Sequence, residues 1–198
     1  TLARIVRRSD RRTVLRRTAD DTDPTERVVV ANADQMMVVV ALADPPPRTG
    51  FVDRSLIAAY TGGLRPILCL TKTDLAPAAP FAEQFADLDL AVVTVSRDTP
   101  IEEVAALLTG HVTVLLGHSG VGKSTLVNRL VPQADRAIGA VSGVGKGRHT
   151  STQSVALPLP GGGWVIDTPG VRSFGLAHIR PDDVMLAFSD LGEKITDC

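Results

Sequence analysis

Cysteine and aromatic residues are scarce in this 198-residue sequence, and its charges nearly cancel to a formal net of −1. The two cysteines, Cys69 and Cys198, stand too far apart to form the disulfide framework of a small secreted domain. Cys69, inside the apolar run Pro66–Leu70, reads as a packing residue. No run approaches the 18 or so apolar residues of a bilayer-spanning helix, and no secretory leader pattern opens the chain. A cytoplasmic protein without a membrane partner is therefore the expectation, and a monomer is the expected state. Aromatics make up 4% of residues, which gives base stacking little support. With so small a net charge, an electrostatic case for RNA rests on a local block. Residues 1–17 supply one, with arginines at 4, 7, 8, 11, 12, 16 and 17 against a single acid, Asp10. Ile5, Val6, Val14 and Leu15 suggest strand pieces there. The block reads either as an arm that contacts phosphates or as a solvated hairpin offset by Asp20, Asp21, Asp23 and Glu26.

What the chain has in quantity is apolar residues, 44% of the total, enough for the core of one domain of about 150–170 residues. Apolar strands alternate with helical stretches, the pattern of an α/β fold whose mostly parallel sheet is covered by helices on both faces. Strands are expected at 28–32, 37–43, 66–71, 90–95, 111–116, 152–158 and 163–167. Helices are expected near 51–61, 80–87, 100–108, 123–131 and 181–188.

Residues 117–124 read Gly-His-Ser-Gly-Val-Gly-Lys-Ser and match the G-x-x-x-x-G-K-[ST] pattern of a phosphate-binding loop. The β-branched run Val112–Leu116 delivers the chain into it. Gly117, Gly120 and Gly122 free the backbone to aim N–H groups at phosphate oxygens. The helix expected from Lys123 adds its N-terminal dipole. Lys123 offers a cation to the β- and γ-phosphates and Ser124 a hydroxyl to Mg²⁺, with Thr125 following on the same turn. His118, Ser119 and Val121 fill the remaining loop positions, and His118 is expected to point outward. Downstream, Trp164-Val165-Ile166 delivers Asp167-Thr168-Pro169-Gly170, 44 residues beyond Lys123 (167 − 123). Alone this is a turn signal. Behind a phosphate loop, Asp167 is placed to hold Mg²⁺ through its water shell, and Gly170 to give its N–H to the γ-phosphate.

The apolar run Pro66–Leu70 leads into Thr71-Lys72-Thr73-Asp74. A carboxylate only accepts hydrogen bonds. Guanine offers it two neighbouring N–H donors, whereas adenine offers one donor and an acceptor, so Asp74 favours guanine. The Lys72 stem can cover the flat face of the base. A further apolar run, Leu90–Val95, ends at Ser96-Arg97, where a backbone N–H can reach guanine O6. A solvated Lys/Asp turn is the plainer reading of 71–74. The Thr71 hydroxyl bridges less widely than a carboxamide would, so reduced nucleotide affinity is expected.

Together these segments resemble the GTPase signature set with its last two motifs moved in front of the first three, the circularly permuted arrangement. The sequence resembles the bacterial ribosome small subunit-dependent GTPase A family. Further residues carrying that likeness are Ala31-Asn32-Ala33-Asp34-Gln35, Gly147-Arg148-His149-Thr150-Ser151-Thr152 and Val171-Arg172-Ser173-Phe174-Gly175-Leu176. The resemblance implies Mg²⁺-dependent hydrolysis of GTP to GDP, and the small ribosomal subunit with its 16S rRNA as partner. It also implies three regions: 1–27 as the end of an oligonucleotide-binding (OB-like) barrel, 28–180 as the permuted GTPase domain, and 181–198 as the start of a zinc module. Cys198 falls where the first zinc ligand would lie, and one thiolate cannot hold a structural zinc, which needs four ligands. Val171 occupies the place of the usual water-orienting glutamine. By resemblance His149 replaces that glutamine, against the plainer reading of an exposed loop histidine. Thr150 is the switch ligand for Mg²⁺, with Ser151 and Thr152 close rivals. Other readings are a GTP-gated RNA-binding switch with negligible hydrolysis, a different permuted ribosome-assembly GTPase, and an ATPase.

Overall fold

Strand β3 (Gln35–Ala41) lies at the centre of the sheet, and all seven of its residues are buried. The structure is a computed structural model that describes residues 7, 10–18, 22, 25–132, 154–171 and 174–187. Among these, β1 (Val14–Arg17) and β2 (Arg27–Ala31) form a small antiparallel sheet. The main sheet comprises β3, β4 (Arg65–Thr71), β5 (Ala91–Val95), β6 (Val112–Leu116), β7 (Val155–Pro158) and β8 (Trp164–Asp167). Its spatial order is β5-β4-β3-β6-β8-β7, parallel throughout except for the antiparallel β7–β8 edge.

Alternation along the strands sends successive side chains to opposite faces, so a sheet buried on both sides builds two cores. Met36, Val38, Val40, Leu68, Leu70, Val114 and Leu116 pack with α1 (Thr49–Thr61) through Phe51, Val52 and Leu56, and with Phe81 of α2 (Ala79–Ala82). Met37, Val39, Ala41, Ile67, Cys69, Val93 and Leu115 pack on the other side with α3 (Glu102–Leu108) and α4 (Lys123–Leu130), through Val104, Leu108, Leu126 and Val127. Cys69 is 0% exposed, and burial pushes its thiol up to about 12, which leaves it an unreactive packing group.

The segment 31–35 earns its place residue by residue at the join between the two sheets. Asn32, at φ 59°, accepts the Arg12 N–H on its side-chain oxygen at 2.8 Å. The Thr13 hydroxyl donates to Ala33 O at 2.6 Å, and Asp34 accepts from Val112 N at 2.8 Å. Gln35 is 0% exposed yet satisfied, its Nε2 donating to Leu107 O at 2.9 Å and its Oε1 accepting from Arg65 at 2.6 Å. That satisfaction lets β3 begin at a polar residue, two positions before the expected 37–43, and it ends two earlier as well.

Five other strands start and end within one residue of expectation: 27–31, 65–71, 91–95, 112–116 and 164–167. The helix expected at 80–87 is instead α2 followed by a 3₁₀ turn, Glu83–Phe85. The last helix among the described residues, α5 (Pro181–Ala187), packs against α1. Residue 188 and the beginning of the strand expected at 152–158 lie outside the described residues. Among the described residues no helix is long and apolar enough to cross a membrane.

Candidate nucleotide site

Because β4, β5, β6 and β8 run parallel, their last residues, Thr71, Val95, Leu116 and Asp167, all reach one edge of the sheet. Each sequence motif begins where one of these strands stops, so four segments distant in sequence converge there.

The phosphate loop leaves β6 at Gly117 and enters α4 at Lys123. Gly120 and Gly122 take φ values of 82° and 96°, in the region that side chains disfavour, and Gly122 forms the N-terminal cap position of α4. Val121 anchors the loop in the core, while Ser119, Gly120, Ser124 and Thr125 stay exposed. Lys123 is 7% exposed, and its ammonium donates to Gly117 O at 2.7 Å and His118 O at 3.0 Å. Burial lowers the Lys123 pKa, and Asp167 acts in the opposite direction. Burial raises the Asp167 pKa, with Lys123 pulling it down in part. Asp167 also has a buried Oδ1 without a hydrogen-bond partner. Gly170 lies against the phosphate loop so closely that a Cβ there would meet Ser119 N at 2.9 Å.

His118 turns inward, contrary to the expectation that it points away from the body. Its Nδ1 donates to Val171 O at 2.7 Å, and its ring packs 4.3 Å from that of Phe51. Phe51 in turn meets Phe174 at 6.4 Å. Val171 also donates its N–H to Gly117 O at 3.2 Å, so the segment after Gly170 is fastened twice to the start of the phosphate loop. An aromatic surface in α1, invisible from the motif, draws the imidazole in.

On the other side of the site, Thr71 is 5% exposed and its hydroxyl donates to Val121 O at 2.6 Å. The hydroxyl does tie the base-side strand to the phosphate loop. Lys72 has a left-handed φ of 59°, and its ammonium donates to Asp44 O. The Thr73 N–H reaches Val95 O at 3.5 Å. Asp74 is exposed at the wall of a cavity of about 360 Å³ whose lining includes Thr71, Lys72, Ser96, Arg97, Gly122 and Thr125. The base-side motif and the start of the phosphate-loop helix therefore share one space. A larger cavity, about 580 Å³ between Arg12, Tyr60 and His178, contains none of these motif residues.

Four residues that line this cavity were not foreseen: Asp44, Leu75, Leu126 and Arg129. Asp44 follows β3, whose parallel course could have flagged its exit loop. Leu75 is 58% exposed on the same cavity, an apolar residue in a turn. Arg129 of α4 reaches back to the loop after β5 and carries no motif signal. His149, Thr150, Ser151, Thr152 and Cys198 lie outside the described residues. Among those described, no cluster of three or more His, Cys, Asp or Glu side chains is arranged to hold a metal ion by itself.

A parallel sheet with a phosphate loop, an acidic strand end and a base-side loop on one edge, connected in this rotated order, defines a circularly permuted GTPase fold. A solved structure described as YloQ, a circularly permuted GTPase, superposes with a TM-score of 0.67 at 26% identity, over 96% of this chain and 59% of that one. YjeQ from Thermotoga maritima gives the same score at 27% identity, covering 93% of this chain and 61% of its own. The RsgA GTPase family profile matches residues 8–177. The chain belongs to the RsgA GTPase family. The small ribosomal subunit biogenesis GTPase RsgA of Azotobacter vinelandii is 40% identical over 86% of this chain and 52% of its own length. Its counterpart in Chlorobaculum parvum is 36% identical over 98% of this chain and 66% of its own. The chain thus spans about half the length of the first of these curated relatives.

Proposed function

We infer that this chain is the GTP-hydrolysing part of a factor that acts late in assembly of the small ribosomal subunit, with 16S rRNA as its contact. The observation that carries the reading is one cavity lined both by Asp74 and by Gly122 and Thr125. Asp74 accepts the two N–H donors of guanine, the Lys72 stem lies along the base, and the N–H of Ser96 or Arg97 reaches O6. The backbone from Gly117 to Gly122 surrounds the phosphates, Lys123 neutralises them, and Gly170 donates its N–H to the γ-phosphate.

The unpartnered, buried Oδ1 of Asp167 suits the hydration shell of a divalent cation. Asp167, the Ser124 hydroxyl and Thr150 would hold Mg²⁺, which when bound neutralises charge on the β- and γ-phosphates. His149 orients the attacking water, since Val171 has no polar group to do so and is 9% exposed. Water attacks the γ-phosphorus in line, the bond to the β–γ bridging oxygen breaks, and GDP and phosphate are the products.

Arg17 and Arg27 of the small sheet line one cavity together with Thr168–Val171, which supports a link between nucleotide state and the basic arm. We assign 1–27 to the end of an OB-like domain, 28–180 to the GTPase domain and 181–198 to the start of a zinc module, in a cytoplasmic protein. The test is GTP turnover with and without isolated small subunits, and stimulation by subunits is expected. Tight GTP binding with no turnover in either condition would favour the second reading, a GTP-gated RNA clamp, to which buried Val171 gives its support.

A further inference from the structure

The loop after β5 is fastened to the phosphate-loop helix by a residue that no motif predicts. Arg129 lies six positions beyond Lys123 (129 − 123) in the last turn of α4. Its Nη1 donates to Ser96 O at 2.8 Å, and its Nη2 donates to Thr99 O. Those two carbonyls bracket a turn closed by its own hydroxyls. Ser96 N donates to Thr99 Oγ1 at 2.9 Å, Asp98 N to Ser96 Oγ at 3.2 Å, and Thr99 N to Ser96 Oγ at 3.0 Å. The N–H groups of residues 96, 98 and 99 are thereby used within the turn. That of Arg97 is the one the hydroxyls leave, and Arg97 lines the cavity beside Asp74.

We propose that Arg129 is a positioning residue for base recognition, holding the 96–99 turn so that the Arg97 N–H stands at guanine O6. This rests on the guanine reading given above, and it narrows O6 recognition from Ser96 or Arg97 to Arg97. A planar guanidinium presents two parallel N–H donors, which suits two carbonyls of one turn at once; an ammonium is a point donor and holds them less rigidly. Since the same helix begins at Lys123, the turn that carries the O6 donor is held by the element that carries the phosphate cation. A merely structural arginine, complementing the negative end of α4, would stabilise the fold without distinguishing one purine from another.

The full chain separates the two roles through its affinities for GDP and 6-thio-GDP, measured by calorimetry. The thio analogue keeps both N–H donors that face Asp74 and replaces O6 with sulfur, a poor acceptor. Wild type should prefer GDP. Arg129→Ala should weaken GDP about tenfold or more, the loss of a charge-assisted contact, and 6-thio-GDP far less, so that the preference collapses. Arg129→Lys should fall between. If Arg129→Ala fails to fold, Thr99→Val, which opens the turn from its other side, should produce the same collapse. Equal losses for both nucleotides, or none, overturn the proposal. Wild type that does not bind GDP in preference to ADP overturns the guanine reading instead.

Discussion

The Thr71 hydroxyl is the direct hydrogen bond between the base-side strand and the phosphate loop, and Thr71→Val removes it with almost no change of shape. Thr71 is 5% exposed, its 2.6 Å bond to Val121 O is buried, and its next acceptor, Val40 O, is 3.3 Å away. Valine leaves the Val121 carbonyl without that donor, and stranding a buried acceptor costs about 1–3 kcal/mol. In a chain of this size each kcal/mol moves the melting temperature by roughly 2–4 °C, so the variant should melt about 2–12 °C lower. The same bond fixes Val121 within the loop, so, on the proposal that this loop binds phosphate, GDP affinity should also fall. Melting curves with and without saturating GDP read both effects, because a bound ligand adds stability in proportion to ln(1 + [L]/Kd). The variant should melt lower alone and gain less from GDP. A variant that melts like wild type and gains equally from GDP would refute the reasoning.

Burial raises the Asp167 pKa in the folded chain more than Lys123 lowers it. The folded state therefore keeps a proton that the unfolded state has released, and stability of the nucleotide-free protein should fall as pH rises above the ordinary aspartate value of about 4. Asp167→Asn should raise the melting temperature near neutral pH, flatten that pH dependence and weaken Mg²⁺-dependent GTP binding; an unchanged pH profile argues against it. Gly170→Ala places a Cβ 2.9 Å from Ser119 N and 3.0 Å from its Cα, backbone atoms that no rotamer change can clear. At about 1–3 kcal/mol for overpacking, a non-hydrolysable GTP analogue should lose about tenfold in affinity while GDP changes little; equal losses would mean that Gly170 does not face the γ-phosphate. His149→Ala should lower subunit-stimulated turnover about a hundredfold or more with GTP binding intact, and undiminished turnover removes its role.

Strand positions and the convergence of the motifs were legible because they depend on local pattern. The alternation of Met36, Val38 and Val40 against Met37, Val39 and Ala41 marks a strand buried on both faces, and parallel strands must present their ends together. The strand–loop–helix form of 112–130 was equally legible, since Gly120 and Gly122 take the positive φ that the lack of a side chain permits. What escaped was tertiary. Gln35 looks like a boundary residue until Leu107, Thr113 and Arg65 satisfy its amide from three other segments. His118 looks like a solvated loop residue until Phe51, in a helix 67 positions earlier (118 − 51), supplies a ring to pack on. Thr71 shows no partner in the sequence, and only the fold brings Val121 O within reach of its hydroxyl. Arg129 sits on a helix face like any surface arginine, and only the course of the 96–99 turn gives it carbonyls to hold. In each case the deciding partner is remote in sequence, and periodicity carries no information about it.

The account depends on a purine and its phosphates occupying one cavity, with Asp74 reading the base from a segment that precedes the phosphate loop in the chain. Calorimetric titration of wild type and Asp74→Asn with GTP and with xanthosine triphosphate tests this most directly. An asparagine amide can donate to the oxygen that xanthine carries in place of the guanine amino group. The variant should lose GTP affinity and gain affinity for xanthosine triphosphate; an unchanged preference for GTP would contradict the account.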